Sequence, residues 1–386
     1  MIGGVPRFAA EAPWAWRLLR RYALQFDGVR RTETPGRRPT VADAAGDSPV
    51  LLVQADPESY LLPVAARRLV AALSEGSGAA MVLPVTNEPW TEAARAAPPF
   101  PYTTPRLLEE AAEGVAAGAG PLRDAADPRS PVFAVRRETL RLLDPTVPLD
   151  ELPQRAAAAG ERVLIDPGAY LHRYGDMDAQ ARGDLAERVP AHARSVLDVG
   201  CSGGATAAAL RARGVTRLVG IEPDAEDAAA AAAGYDRVLT TPLEAVREDF
   251  SGQFDAVLFG DVLEHLVDPA EALVRTRPWI APGGALVASV PNFGHWAVVA
   301  DLLAGRFDYV PYSVLSGTHV RFFTRRTIAD LLSACGYRVE RIDTVELPVS
   351  PAGAERLARL RSFPGASPDL GAAEFLVVAS PSPSGS

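Results

Sequence analysis

Residues 195–204 read Ser-Val-Leu-Asp-Val-Gly-Cys-Ser-Gly-Gly, and no other stretch of the chain constrains its fold so tightly. An apolar run ends in an acid, and a glycine-rich turn then opens an alanine-rich segment of helical character. That order belongs at the carboxyl end of a buried strand in an open α/β sheet, the edge where such sheets bind ligands. Gly200 permits the tight turn, while Gly203 and Gly204 let backbone come close to a ligand at the first helical turn. The next apolar run, Arg217–Ile221, is followed by Glu222, eighteen residues beyond Gly204. An acid about 20 residues on is placed to accept hydrogen bonds from ribose hydroxyls.

The alternation continues downstream. Strands are expected at Ser195–Val199, Arg217–Ile221, Ala256–Phe259 and Ala285–Val290, with helices at Gly204–Arg213, Ala225–Ala233, Pro269–Ile280 and Arg325–Cys335. Near-continuous apolar strands between helices predict a parallel sheet covered on both faces. Tyr337–Val345 and Glu374–Ala379, joined by a long connection, read as an antiparallel hairpin at the sheet edge. Residues 176–380 are therefore expected to form a doubly wound, Rossmann-like α/β domain, and the Ser/Pro-rich tail 381–386 to be disordered. Upstream, residues 48–175 predict a smaller α/β region. Its strands are Val50–Gln54, Ala80–Pro84, Val132–Val135 and Arg162–Ile165; its helices are Pro63–Ser74 and one beginning near Arg137. Asn87–Pro105 is proline-rich and reads as irregular, and polar Asp176–Arg188 is the connector. Residues 1–47 carry one helix, around Trp14–Phe26, and a Pro/Arg/Gly-rich loop.

Composition removes several classes of function. A net charge of −9 and a pI near 5.2 argue against a nucleic-acid surface spread over the chain. No apolar run approaches the roughly 20 residues of a membrane span, and no stretch has a signal-peptide pattern, so the cytoplasm is the expected compartment. Cys201 and Cys335 cannot build a disulfide framework and show no metal-ligand spacing; no metal is expected.

A glycine loop alone would also fit a nicotinamide dinucleotide domain. Asp198 separates the two readings, because a carboxylate before the first glycine repels a pyrophosphate but suits an ammonium group. S-adenosylmethionine offers an amino group and a sulfonium there, and no phosphate. Residues 190–345 resemble the class I S-adenosylmethionine-dependent methyltransferases, in particular a subgroup found with cell-surface polysaccharide and sugar-modifying genes. The matching segments are Val196-Leu-Asp-Val-Gly-Cys-Ser-Gly-Gly204, Val219-Gly-Ile-Glu-Pro223, Phe254-Asp-Ala-Val-Leu-Phe-Gly-Asp-Val-Leu-Glu-His265, Pro282-Gly-Gly284, Pro291-Asn292 and Thr318-His-Val-Arg-Phe-Phe-Thr324. The resemblance implies that Asp198, Gly200 and Gly204 hold the methionine portion, that Glu222 binds the ribose, that Pro223 lies beside the adenine, and that Asp261 faces the cofactor. Ser202 stands where glycine is common. Pro242 stands where many relatives place an acid, which leaves adenine recognition to Thr241, Leu243 and backbone.

Methylation of a hydroxyl benefits from a base that titrates near neutrality, most often histidine. Of five histidines, His265, His295 and His319 fall in loops that follow the later strands, where the pocket mouth should be. Each also fits a bracing or capping role. Asn292 and Trp296 beside His295 suggest a wall for a sugar or aromatic ring, and Arg321 a hold for an anionic group. Phe293–Thr324, with Trp296, Phe307, Tyr309 and Tyr312, reads as a lid or binding loop.

The upstream segments Leu51-Leu-Val-Gln-Ala-Asp-Pro-Glu58, Met81-Val-Leu-Pro-Val-Thr-Asn87, Pro131-Val-Phe-Ala-Val-Arg-Arg-Glu138 and Val163-Leu-Ile-Asp-Pro-Gly-Ala-Tyr-Leu-His-Arg173 are similar to the later half of a GT-A-type glycosyltransferase. That family uses Asp-x-Asp to hold a metal; here the segment is Gln54-Ala-Asp56, so one ligand is missing. His172 matches a family histidine near that metal. The resemblance implies a degenerate domain for packing, homodimer formation or substrate presentation. The chain as a whole is expected to O-methylate a small-molecule, sugar or glycosylated acceptor. The rivals are a non-catalytic binding module, a fused glycosyltransferase/methyltransferase and an oxidoreductase.

Overall fold

The computed structural model describes residues 40–41, 49–54, 59–74, 77–87, 89–98, 103–173, 181–310 and 313–382. The helix expected around Trp14–Phe26, Asp56, Tyr312 and the last four residues of the tail lie outside them. The chain divides into two compact units, residues 1–175 with 308–312, and residues 176–307 with 313–386.

In the first unit, β1 (Val50–Gln54), β2 (Ser59–Leu61), α1 (Pro63–Ser74), β3 (Met81–Thr86), α2 (Pro105–Ala117), β4 (Arg123–Asp124), β5 (Val132–Arg136), α3 (Arg137–Arg141), α4 (Leu152–Ala158) and β6 (Val163–Arg173) follow in order. They form a mixed sheet ordered β1-β5-β3-β6-β2, with β4 also on β6; within it β3 and β6 run parallel. Side chains alternate across the strands. Val82, Ala134 and Leu164 meet Leu69 and Leu73 of α1, while Met81, Phe133, Val135 and Ile165 share a core with Leu152 and Ala156 of α4. Each large side chain so buried stabilises by roughly 1.5–3 kcal/mol. Several features differ from expectation: β2, β4 and α4 are additional elements. β6 runs on to Arg173, far past the short strand read at Arg162–Ile165, and helix α2 was hidden in alanine-rich sequence. Its start is nevertheless well marked: Pro105 occupies the first turn, and Thr104 accepts a bond from the Leu107 N–H.

The second unit contains α5 (Gly183–Arg188), β7 (Ser195–Val199), α6 (Ala207–Ala212), β8 (Arg217–Ile221), α7 (Ala225–Ala231), β9 (Arg237–Leu239), β10 (Phe254–Gly260), α8 (Pro269–Thr276), β11 (Ile280–Pro291), α9 (Trp296–Leu303), α10 (Arg325–Ala334), β12 (Tyr337–Glu346), α11 (Pro351–Arg361) and β13 (Ala372–Pro381). Seven strands form one sheet, ordered β12-β13-β11-β10-β7-β8-β9. β9, β8, β7, β10 and β11 are parallel; β13 is antiparallel to both of its neighbours. One face packs Val199, Val257, Leu286 and Phe375 under α8 and α10; the other packs Val196, Leu218, Ala256 and Val287 under α5, α6 and α7. This is the doubly wound α/β fold expected from the sequence.

The expected antiparallel hairpin, β12 with β13, forms the end of the sheet. The last strand lies inside, between β11 and β12, and β12 takes the edge. The cause is visible in the residues: Phe375-Leu-Val-Val378 is continuously apolar and needs cover on both sides, whereas β12 alternates charged Arg338, Glu340 and Asp343 with apolar residues. Charged alternation is what protects an exposed sheet edge. The segment read as a long loop also contains helix α9, whose Trp-Ala-Val-Val-Ala-Asp-Leu-Leu sequence is nearly all apolar.

Candidate functional site

The glycine turn sits at the carboxyl end of β7. Gly200 has φ +71°, and a side chain on it would bring Cβ to 2.5 Å from Val262 Cγ2. Helix α6 begins at Ala207, later than the sequence suggested, so residues 202–206 remain a turn. Ser202, at the position where glycine is common, adopts φ +44°. Left-handed backbone costs a non-glycine residue about 1–2 kcal/mol, and strain of this kind collects at ligand sites.

Two carboxylates flank the turn. Asp198 is 6% exposed, and its side-chain hydrogen bond comes from the Tyr235 hydroxyl at 2.5 Å. Burial, with Glu222 nearby, pushes its carboxyl up to about 6 against the bond from Tyr235. Glu222, at the end of β8, accepts the Ser202 N–H at 2.9 Å and the Asp224 N–H at 2.9 Å, so it fastens the turn to the start of α7. Pro223 lies between these bonds, and Leu243 is buried in the 3-10 turn after β9. Cys201 packs against Gly220, and burial raises its thiol far above the usual range.

Asp261, just past β10, has φ +53°. Its N–H donates to Ser289 Oγ, and the Ser289 hydroxyl donates back to Oδ1, both at 2.9 Å. Arg182, immediately before α5, donates to Asp261, to Glu374 of β13 at 2.6 Å and to Asp184 at 2.9 Å, while its own N–H bonds Thr206 Oγ1 at 3.2 Å. One arginine thus ties the glycine turn to the ends of β10, β11 and β13. Burial and the Asp261 charge push Glu374 up to about 8.

His265 and His319 meet edge to face, with ring centroids 4.8 Å apart. His319 Nδ1 lies 3.1 Å from Val314 O; a carbonyl can only accept, so Nδ1 carries the hydrogen and Nε2 the lone pair. Burial lowers His319 to about 3 and His295 to about 4, whereas His265 is exposed. Glu264 is 1% exposed, and neither of its side-chain oxygens has a hydrogen-bond partner among the described residues. Ligand atoms of Glu264, His265 and His319 all lie within 4.8 Å of one another, a spacing able to hold a metal ion that the sequence gave no reason to expect.

The other acceptor-side candidates are not gathered here. His295 caps α9 by accepting the Ala297 N–H. Asn292 donates to the carbonyls of Asp369 and Ala372 and accepts the Gly294 N–H, so it braces loops. Trp296 is 1% exposed and packs against Gly353, which leaves no face for an acceptor wall. Arg321 is exposed and donates to Val320 O and Val267 O. In Trp296's stead, Phe293, Phe307 and Phe322 form a cluster, with Phe293 and Phe322 centroids 4.7 Å apart and Phe322 38% exposed.

A family model described as a methyltransferase domain matches residues 151–342. A ubiquinone biosynthesis O-methyltransferase from Pseudomonas entomophila is 32% identical over 169 residues, covering 39% of this chain and 71% of that enzyme. The chain belongs to the class I S-adenosylmethionine-dependent methyltransferases. A Psychrobacter arcticus enzyme of the same description is 30% identical over 168 residues, which cover 41% of this chain and 63% of that relative's length. Among solved structures, an S-adenosylmethionine-dependent methyltransferase from Mesorhizobium loti aligns with 51% of this chain and 95% of its own at 19% identity and a TM-score of 0.37. A Burkholderia thailandensis 1,6-didemethyltoxoflavin-N1-methyltransferase with bound S-adenosylhomocysteine aligns with 54% of this chain and 80% of its own at 18% identity and a TM-score of 0.36.

The methyl donor of this methyltransferase is S-adenosylmethionine, and the donor set suits it. Asp198 is a buried carboxylate with no cationic side chain bonded to it among the described residues, facing Glu222 across a glycine turn. Arg182, Tyr235, Glu264 and Glu374 escaped the sequence reading. Tyr235, a single aromatic closing an alanine run, and Glu264, inside a quoted motif, were discoverable signals; Arg182 and Glu374 lie 192 residues apart and meet through the sheet.

Proposed function

We propose that the second unit transfers a methyl group to a hydroxyl of a small acceptor, a sugar or a glycosylated metabolite, with His265 as the proton acceptor. The observation that carries this reading is the exposure of His265 beside β10, where His319 and His295 are buried and held at low basicity. A base works best when it titrates near the working pH, so the two buried imidazoles are poorly matched to the task. The relatives named as O-methyltransferases support transfer to oxygen.

Bound S-adenosylmethionine supplies an electrophilic methyl on a sulfonium. Around it, Asp198 holds the ammonium, Glu222 the ribose hydroxyls, and Pro223 and Leu243 flank the adenine. Gly200, Ser202 and Gly204 shape the turn, and Asp261 with Arg182 closes the strand ends. His265 takes the hydroxyl proton as the new bond forms. The ring cluster of Phe293, Phe307 and Phe322 offers a stacking face for a sugar or aromatic ring, with Arg321 nearby in sequence for an anionic substituent. Tyr312 keeps its expected acceptor role as a proposal. A panel of hydroxylated acceptors incubated with methyl-labelled donor should yield an O-methyl ether; product labelled only on nitrogen or carbon would overturn the reading.

A second reading rests on Glu264. Its two oxygens, without a hydrogen-bond partner among the described residues and close to two histidines, favour a divalent cation that binds the acceptor hydroxyl. Turnover lost to a chelator and restored by Mg²⁺ or Mn²⁺ would select it over a histidine base acting without a metal. For the first unit we propose packing, dimerisation or substrate presentation and no glycosyl transfer. At Gln54, where the family has a metal-binding carboxylate, the side-chain amide donates to Ser59 O at 2.6 Å. Mn²⁺-dependent hydrolysis of a nucleotide sugar would refute this.

A further inference from the structure

Tyr235, four residues past the end of α7, packs against the glycine turn. Its hydroxyl donates to Asp198 Oδ2 at 2.5 Å from the far end of α7. Its ring is wedged under the turn: a Cβ on Gly204 would come within 3.2 Å of Cε2, and one on Gly220 within 3.2 Å of Cδ1. The residue therefore packs by its ring and bonds by its hydroxyl, and the two roles can be separated.

We propose that Tyr235 is the positioning residue of the donor site, fixing Asp198 as the ionised partner of the donor's ammonium. The inference rests on the proposed role of Asp198. The groups facing Asp198 are the Tyr235 hydroxyl, the Glu222 carboxylate at the end of β8 and the Cys201 thiol on the turn; Arg211 of α6 reaches Tyr235 and not Asp198. Two carboxylates close together in a buried site favour protonation of one. Among the described residues, the Tyr235 bond is the one neighbouring interaction that favours the charged form of Asp198, whose carboxyl stands at about 6. Without the hydroxyl, Asp198 would hold its proton to a higher pH and lose the contact that sets its rotamer. An ammonium would then meet a neutral acid.

The test is Tyr235→Phe, which keeps the ring. S-adenosylhomocysteine is titrated into the full chain by calorimetry from pH 5 to 9, with 5′-methylthioadenosine, which lacks the amino-acid portion, as a second probe. At pH 8 the variant should bind S-adenosylhomocysteine about 10-fold more weakly, the loss expected of one hydrogen bond to a charged group. The pH at which its affinity begins to fall should move up, while 5′-methylthioadenosine binds both proteins equally. Wild-type affinity and an unmoved pH profile in Tyr235→Phe would overturn the proposal. So would equal weakening towards both probes, which would mean a packing role alone. Asp198→Asn separates this failure from that of the underlying reading. If it too binds the donor normally, the assignment of Asp198 is wrong; if it alone loses the donor, only the part given to Tyr235 fails.

Discussion

Asp166 in the first unit and Asp198 in the second are both buried acids on sheet strands or at their ends, and they are treated in opposite ways. Asp166 receives both arms of Arg68, at 2.8 and 3.1 Å, and the Gly168 N–H at 2.9 Å. Asp198 receives one phenol and faces another carboxylate. Glu264 receives nothing on its side chain among the described residues. A buried charge met in full is structural cement; one left short is a vacancy for a ligand, because burial of an unpaired polar group is costly and persists only where something compensates. The contrast between Asp166 and Asp198 agrees with the donor role proposed for Asp198.

The largest effect should come from His265→Ala. Loss of a general base costs about 10²–10⁴-fold in rate, and calorimetric affinity for S-adenosylmethionine should be unchanged. Next is Asp198→Asn, which should lose most donor affinity and yet stabilise the unliganded protein. The sign follows from linkage. A carboxyl raised to about 6 in the folded chain, from 3.8, makes the ionised form unfavourable, so stability is lost as pH rises through that window. Asn cannot ionise, so thermal unfolding of the variant should show a gain of up to about 3 kcal/mol above pH 6 that vanishes below pH 4. The paired acid should behave in the reverse sense: Arg68→Leu strands a buried Asp166, and urea unfolding should register a loss of about 2–3 kcal/mol, reduced by the partial exposure of the arginine. Donor affinity should stay within twofold; a large drop would break the contrast between the units. The smallest effect belongs to Ser202→Gly, where relief of the φ +44° strain outweighs the added chain entropy by about 0.5 kcal/mol.

The second unit was the more legible because its central strands are uninterrupted apolar runs that declare both ends, as in Ser195–Val199 and Arg217–Ile221. β9 was missed because three half-exposed residues at a sheet edge carry no periodic signal, and α11 because its glycine and charged residues dilute the pattern. The glycine turn, Asp198 and Glu222 could be read from local order, since a strand, a turn and a helix specify them within thirty residues. The acceptor side could not. Trp296 and Asn292 look like pocket residues in a line of text, and only the packing of α9 against α11 and the loops turns them inward. The histidines were found as residues, but their division into one exposed and two buried rings is a property of the folded environment.

The placement of β13 has a consequence for synthesis. β11 and β12 do not touch until the strand between them exists, so a nascent chain leaving the ribosome carries β11 with one flank bare until residues 372–381 have emerged. That same strand delivers Glu374 to Arg182, a residue translated 192 positions earlier. The glycine turn lies wholly upstream, but the sheet is completed last, so a chain truncated before residue 372 carries the turn and no finished sheet behind it.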